Sequence, residues 1–580
     1  MQEEFNFGVL RTLLTKEPSI ALWRKILRGL ESLELDDVEQ TYLPYLQSHL
    51  QVWPPGLRSA PNPSKLFFFA GPDRLPKKRT LYEAILPLLD CLEIAPNQDL
   101  TNEDLFRLSE NPLCAQLHTL KLRTPSITRT GFQSLAASEC FPKLEHYLQN
   151  STAFDRQLML MFGRSNWFTK LNKLELESFS IEPGIDSLFP AWPMETLKHL
   201  SIKRGDFVKI AEAILRGGSG LSLESLHLYH LSTQSEQFAH MLNMPSLKSL
   251  HISPEFVFER HYIDEVLKSS YPSLEEFRFK GGGYYSEDYQ RLLLTLEAPN
   301  LKRLQLSNSH QTPVPIGAMR SRPFVEHLEE LNLNFSHIGD RGLSALGNMG
   351  ELNSIKELHL RGINCKGYEL HGFLQAPHFG KLELLDIGSN RMSSKYGAAL
   401  AHPHKLQNLQ TLSIGGNEYN DELVLAIVSN QSTPQLTSLS VYPNSYSIPV
   451  LYTLSTMGKY GSPLRYSMLQ DLVKQYNKAE LVKLLKAHIK RPDKLNRGEI
   501  NELVIELLSD EPLLLDFLCS EEYVRKLTVK AKKATLRALG VKGYSSLARS
   551  RLHETTMTCL QAMRKKILDA PSKAVKRNDT

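Results

Sequence analysis

Between Leu274 and Val441 the apolar positions repeat one phrase, L-x-x-L-x-L or a close variant of it. It is read at Leu274-x-x-Phe277-x-Phe279, Leu301-x-x-Leu304-x-Leu306 and Leu328-x-x-Leu331-x-Leu333. It returns at Ile355-x-x-Leu358-x-Leu360, Leu382-x-x-Leu385-x-Ile387, Leu409-x-x-Leu412-x-Ile414 and Leu436-x-x-Leu439-x-Val441, each start 27 residues after the last. Self-similarity at such an interval marks a chain built by stacking units, each burying its neighbour's apolar face, rather than one closed core. Within each phrase the fourth and sixth residues alternate on a short strand and point inward, while the third, fifth and seventh point out.

Walking back from Leu274 gives further starts at Leu247, Leu223, Leu197, Leu171, Leu144, Leu117 and Leu89, at intervals of 24–28 residues. That makes about fourteen repeats. The one poor match, Leu144-x-x-Tyr147-x-Gln149, puts a polar residue at an inward position and predicts a local distortion. A second apolar set (Leu135, Leu215, Met241, Leu292, Leu346, Leu400, Ile427) falls later in the repeats and predicts a return helix. Pro142, Pro245, Pro272, Pro299 and Pro434 each stand two residues before the next phrase, where a helix must already have ended. The ninth position is Asn at 97, 390, 417 and 444, where a buried amide satisfies backbone groups left unpaired by the turn; Thr152, Ser309 and Ser336 do part of that work.

Residues 1–88 do not repeat. Leu10, Leu13 and Leu14, then Leu22, Ile26 and Leu30, then Tyr42, Tyr45, Leu46 and Leu50 fall at helical spacing. The proline-rich run that follows ends this part near Pro63, and one more helix is expected near Leu81–Leu89. Covering the apolar end of the array is the simplest role for such a segment.

These phrases resemble those of leucine-rich repeat proteins, most closely the longer-repeat, ribonuclease-inhibitor-like type. A helical cap before 27-residue repeats also resembles bacterial proteins with large repeat arrays. The resemblance covers residues 89–444 and implies an α/β solenoid, with a parallel sheet on the concave side, helices on the convex side, and a concave face used to grip proteins. The domains expected are a helical N-terminal cap (1–88), the solenoid (89–444), a helical region (445–518) and a basic helical module (519–580).

Composition adds bounds. Hydrophobic residues at 41% and charged residues at 23% suit a globular chain, and no apolar run approaches the ~20 residues that span a bilayer. The first ten residues carry acid where a secretory signal would carry Lys or Arg. Six scattered cysteines (Cys91, Cys114, Cys140, Cys365, Cys519, Cys559) form no CxxC pair, which fits free thiols in a reducing, cytoplasmic setting. None begins the Cys-x-Asp tripeptide of bacterial effector ligases that carry such repeats. GxSxG, Walker A and HExxH motifs are missing, and Gly281–Tyr285 reads as a repeat turn, so no catalytic residue, cofactor or metal is assigned.

The outward columns carry seven acids and eight bases, which argues against a nucleic-acid groove on this face. His199, His227 and His251 lie in neighbouring repeats with Tyr229 beside them and His230 nearby. Strand spacing allows His227 and His251 to face each other, but no third metal ligand is fixed by spacing; a protein-contact patch and plain solvated surface remain the alternatives. The residues expected to meet a protein partner are His199, His227, Tyr229, His251, Arg278, Lys280, Arg303, Asn332, Asn334, His359, Arg361 and Tyr442.

The net charge of +5 is unevenly placed: residues 519–580 hold fifteen Lys/Arg against five acids. At an offset of 52, residues 478–502 match 530–554 at Lys478/Lys530, Ala479/Ala531, Leu484/Leu536, Leu495/Leu547, Arg497/Arg549 and Glu502/Glu554, which predicts two helix–extended–helix copies. The second copy, LRALGVKGYSSLARSRL, resembles SAP domains and the N-terminal region of the terminator Rho. That resemblance implies DNA or RNA contact through Lys542, Tyr544, Ser545, Arg549 and Arg551, supported by Lys530, Lys532 and Lys533. In the first copy RPDKLN replaces GYSSLA, which points to a structural role. The plainer alternative for the tail is a solvated helical cap with a disordered end at Pro571–Thr580. The leading expectation is a non-enzymatic, monomeric protein-binding scaffold. The runner-up is a nucleic-acid-associated protein whose array recruits a protein.

Overall fold

The structure is a computed structural model of the chain. It describes residues 5–59, 84–94, 100–123, 126–154, 156–181, 196–203, 222–229, 244–253, 270–280, 286–307, 313–429, 433–441, 446–456, 469–470, 472–474, 476–486, 497–508 and 511–568. Tyr442, Asn97, Asn444, Ser309, His230, Leu215, Met241, Gly281–Tyr285, the RPDKLN segment and Pro571–Thr580 lie outside these residues. Two units are present, the first comprising residues 1–281 and 296–300 and the second 282–295 and 301–580.

Each L-x-x-L-x-L phrase forms a short strand, and consecutive strands within each unit pair in parallel. In the first unit these are β1 (Cys91–Ile94), β2 (Thr119–Leu122), β3 (His146–Phe154), β4 (Lys173–Ile181), β5 (His199–Lys203), β6 (Ser225–Tyr229), β7 (Ser249–Ser253) and β8 (Glu276–Lys280). In the second they are β9 (Arg303–Ser307), β10 (Glu330–Asn332), β11 (Glu357–His359), β12 (Leu384–Asp386), β13 (Thr411–Ser413) and β14 (Ser438–Ser440). The register follows the sequence alignment residue for residue. Third positions pair as Cys91↔Thr119↔His146↔Lys173↔His199↔Ser225↔Ser249↔Glu276 and as Arg303↔Glu330↔Glu357↔Leu384↔Thr411↔Ser438. Because a one-residue slip would turn every apolar side chain to the wrong face, burial of the fourth and sixth positions is what holds this register. Helices such as Arg129–Ala137, Gly339–Gly347 and Asp421–Ser429 return the chain, with Leu135, Leu346 and Ile427 buried. The fold is an α/β leucine-rich repeat array with helical ends.

Two expectations need correction. Gln149 does not distort its repeat. β3 is nine residues long and stays in register with β4 up to Phe154↔Ile181. The buried Gln149 accepts a hydrogen bond of 2.9 Å from the equally buried Tyr147 hydroxyl, whose ring packs edge-on against Trp167 at 5.2 Å. A paired polar group costs little to bury, whereas an unpaired one would have been expelled. Leu148 occupies an outward column yet is fully buried. Cys91, Thr119, Ser225 and Ser307 are likewise outward and buried.

One regularity was not foreseen. The eighth residue of four consecutive repeats (Phe335, Gly362, Ser389 and Gly416) has a positive φ of 53–76°. The strand must turn sharply there so that the ninth residue points inward. The Phe335 ring takes the space beside Gly362 that a side chain there would need, since a Cβ on Gly362 would lie 2.6 Å from the Phe335 Cδ1.

The N-terminal helices Phe7–Leu14, Ile20–Leu30 and Leu43–Leu50 bury Leu10, Trp23, Ile26, Leu30, Leu46 and Leu50 among themselves. Asn6 and Ser19 cap the first two by accepting from the Val9 and Leu22 amides. Arg58 and Ser59 then run beside β1 through a parallel bridge from Ser59 to Cys91, and the Trp23 indole donates to the Ser59 carbonyl. Of the helix expected near Leu81–Leu89, residues 84–85 are α-helical and Leu86–Leu88 tighten into a 3-10 turn before β1, while residues 81–83 lie outside the described residues.

In the second unit the described residues after β14 are mainly helical. Helix Ile448–Thr456 starts on a hydrogen bond from its Ile448 amide to the buried Thr535 hydroxyl, and the Ser447 amide donates to Asp421 of the last return helix. Helices Lys478–Leu485 and Arg497–Leu508 start within a residue of the offset that would match Val529–Ala538 and Arg549–Leu568, but the last helix runs well past the end of its counterpart. The link in the second copy is not extended: Gly540 and Gly543 turn it with φ of 74° and 75°, and Tyr544–Ser546 forms a 3-10 turn. Among the described residues no helix is long and apolar enough to cross a membrane.

Candidate protein-contact face

In the first unit, alternation along β6, β7 and β8 sends their third, fifth and seventh side chains to one face, and the shared register stacks them. His227 and His251 meet there ring on ring, with centroids 3.8 Å apart and planes within 2°. The Ser225 hydroxyl lies 3.0 Å from His227 Nε2, and the Ser249 hydroxyl 3.2 Å from His251 Nε2. Ser249 also donates to Glu276 at 3.2 Å, Glu276 stands 3.2 Å from His251 Nε2, and Arg278 closes an ion pair on Glu276. Tyr229 sets its hydroxyl 3.4 Å from His251 Nδ1, with its ring edge-on to His227. His251 and Glu276 are each under a tenth exposed, whereas the Arg278 side chain is 43% exposed. A buried base thus carries a half-exposed guanidinium that Glu276 anchors.

Two strands away a second pair forms. His146 Nε2 lies 2.8 Å from Glu175, which also takes the Lys173 ammonium at 2.9 Å. Burial would raise the Glu175 carboxyl, but the bonds from His146 and Lys173 outweigh it and hold Glu175 at about 2. Burial lowers His146 and also His199, whose neighbour Lys173 lowers it further. Burial and the facing His251 ring bring His227 down to about 4, so its imidazole is neutral at pH 7.

These values fix a pH response. Between about 4 and 6.5 the unfolded chain binds a proton at His227 that the folded chain does not, so stability falls as pH is lowered through that window. Glu175 acts in the same direction further down: its contribution is present above 4.5 and lost as pH falls towards 2. The melting temperature of the full chain will fall between pH 6.5 and 4, and His227→Gln will flatten that slope. An unchanged slope in the variant would remove His227 as its source.

Serine, histidine and carboxylate here do not form a relay. In a nucleophilic triad the serine and the acid bond to opposite ring nitrogens. At His251 both Ser249 and Glu276 approach Nε2, and the serine proton is directed to the carboxylate. The arrangement fixes side-chain positions and generates no nucleophile.

Of the residues expected to meet a partner, His227, Tyr229, His251 and Arg278 are brought into one cluster. His199 sits on β5 beside Ser225, and Lys280 ends β8 exposed. In the second unit Arg303 pairs in register with Glu330, and Asn332 with His359. Asn334 accepts the Arg361 amide at 2.8 Å, and the Arg361 guanidinium lies 3.9 Å from Asp386. Ser225, Ser249, Glu276 and the His146–Glu175 pair were passed over in sequence. Reading the columns across strands, one below the other, would have joined them.

In the C-terminal module Lys530, Lys542, Ser545, Arg549 and Arg551 are exposed. Lys533 donates to the Ser545 carbonyl at 2.8 Å, and Tyr544 accepts from Arg537 at 2.9 Å, so these two brace the turn. Burial, with Arg549 nearby, lowers Lys532.

No family model matches the chain, and no curated protein matches it. Among solved structures it is similar to the Rad7–Elc1 complex of yeast, at 18% identity over 60% of this chain and 80% of that one, with a TM-score of 0.36. It is also similar to a leucine-rich repeat protein of Leptospira interrogans, at 16% identity over 62% and 86%, with a TM-score of 0.34. Both scores are below 0.5, and the strand register described above is what defines the fold.

Proposed function

We propose that the chain is a non-enzymatic scaffold that binds another protein on its strand face, with the cluster of His227, Tyr229, His251 and Arg278 at the centre of the contact. What supports this is preorganisation: two stacked imidazoles, a tyrosine and an arginine are held in place by Ser225, Ser249 and Glu276 before any partner arrives. Side chains already fixed lose little entropy on binding, and Tyr and Arg are the types that anchor protein interfaces. All six cysteines are unpaired, which supports a reducing, cytoplasmic setting. The helical returns support the ribonuclease-inhibitor-like subtype. In a capture experiment with the full chain as bait, a protein retained by the wild type will drop about tenfold or more with Tyr229→Ala/Arg278→Ala. Equal recovery by the two baits would refute this contact.

A second reading has its own observation. Lys530, Lys542, Arg549 and Arg551 are exposed in the helix–turn–helix of the tail, which supports DNA or RNA contact by a SAP- or Rho-like module. Binding of the full chain to mixed-sequence DNA or RNA will then weaken steeply with salt, and Arg549→Ala/Arg551→Ala will reduce the salt slope. No binding at low ionic strength would sink this reading.

A further inference from the structure

We propose that Glu330, Glu357 and His359 form a binding site for a divalent transition cation of the zinc type on the strand face of the second unit. The three side chains come from two adjacent strands. Glu330 on β10 is the register partner of Glu357 on β11, and His359 lies two residues beyond Glu357 on the same face. One carboxylate oxygen from each glutamate and one ring nitrogen of the histidine all lie within 4.8 Å of one another. Among the described residues this is the one set of three His, Cys, Asp or Glu side chains whose donor atoms converge this closely.

The donor set and its support both favour a cation. Tetrahedral zinc with bonds of about 2.0–2.2 Å holds its ligand atoms roughly 3.4 Å apart, so small side-chain rotations are enough to close the site. His359 Nε2 is 3.5 Å from Glu357 Oε2, already near that separation and too long for a good hydrogen bond. The two carboxylates stand side by side at register-paired positions, with Arg303 on the far side of Glu330, so negative charge is gathered where the imidazole points. An imidazole with carboxylates is a donor set that suits zinc, whereas calcium and magnesium prefer oxygen alone. The backbone beneath is a paired parallel sheet, so the ligands are presented from fixed positions. Glu357 is half exposed and His359 largely covered, which leaves the cation open on the solvent side. Three protein ligands and an open position allow a water, or a carboxylate or histidine of a docking protein, to complete the coordination. The site is a property of this chain alone and does not depend on the partner proposed above.

The test uses the full chain and Zn2+ alone, titrated in competition with a chromophoric chelator so that weak binding by scattered cysteines and histidines is set aside. The wild type will take up one equivalent that both His359→Ala and Glu330→Gln/Glu357→Gln lose, with affinity falling about tenfold or more in each. Without metal, a cooperative melting transition in the double glutamine variant shows that it folds. With Zn2+ only the wild type will gain melting temperature. Uptake by both variants equal to that of the wild type, or no competed equivalent in the wild type, would overturn the proposal.

Discussion

Replacing Arg58 with alanine will open the junction between the N-terminal helices and β1 by about 3 kcal/mol, the lower end of the range for breaking a buried ion pair. The Asp90 carboxylate is fully buried and has two bonds to Arg58, from the backbone amide at 2.9 Å and from Nε at 3.0 Å. The same residue's carbonyl accepts from the Asp90 and Cys91 amides. Removing the guanidinium leaves a charge sealed from water with one backbone donor in its place. The converse substitution is milder, because Arg58 is 16% exposed and its head can turn to solvent. Asp90→Ala and the double variant will therefore both be more stable than Arg58→Ala alone. Hydrogen exchange over residues 20–59 and 84–94 reads this directly as about 100-fold faster opening in the single Arg58 variant. If the double variant opened faster than Arg58→Ala, the buried charge would not be the cause.

This junction also marks where the sequence stopped being informative. The repeat announces its strands because Leu, Ile and Phe recur at fixed positions and a strand has a side-chain period of two, so the third-position column could be written out before any coordinates. Asp90 carries no such signal. It stands one residue after Leu89, and its partner is 32 residues away in a segment with no period. The same limit applies at Gln149, where the residue type suggested a fault and the answer lay in a hydroxyl on Tyr147. It applies again at Phe335, since nothing in the type of an eighth residue reveals a positive φ when Phe, Gly and Ser all adopt it. In the candidate site the two histidines were legible as neighbours in one column. Ser225, Ser249 and Glu276 were not, because short polar residues on a solvent face look alike until the strands are paired.

Asn390 offers the sharpest separation of hydrogen bonding from packing. Its amide nitrogen donates to three carbonyls, Leu360 at 2.9 Å, Ile387 at 2.9 Å and Gly388 at 3.2 Å, and its oxygen accepts the Cys365 amide at 3.3 Å. Asn417, one repeat on, does the same with Ile387 and Ile414 at 3.0 Å and with the Met392 amide. The Ile387 carbonyl is shared, so the two amides form a ladder between repeats. Asn390→Asp keeps the shape and removes every donor, setting oxygen against three oxygens. With about 1–3 kcal/mol for each buried group left unpaired, the loss will be about 3 kcal/mol or more, at least as large as for Asn390→Ala. Ser336, which makes one bond of this kind to the Leu306 carbonyl, will cost about 1 kcal/mol as Ser336→Ala. Because the Ile387 oxygen retains one donor after either single change, Asn390→Asp/Asn417→Asp will lose more than the two single losses combined. Thermal unfolding of these variants and of Asn417→Asp decides the matter: a near-neutral Asn390→Asp would mean that the ninth position is chosen for its volume and that the ladder stabilises nothing.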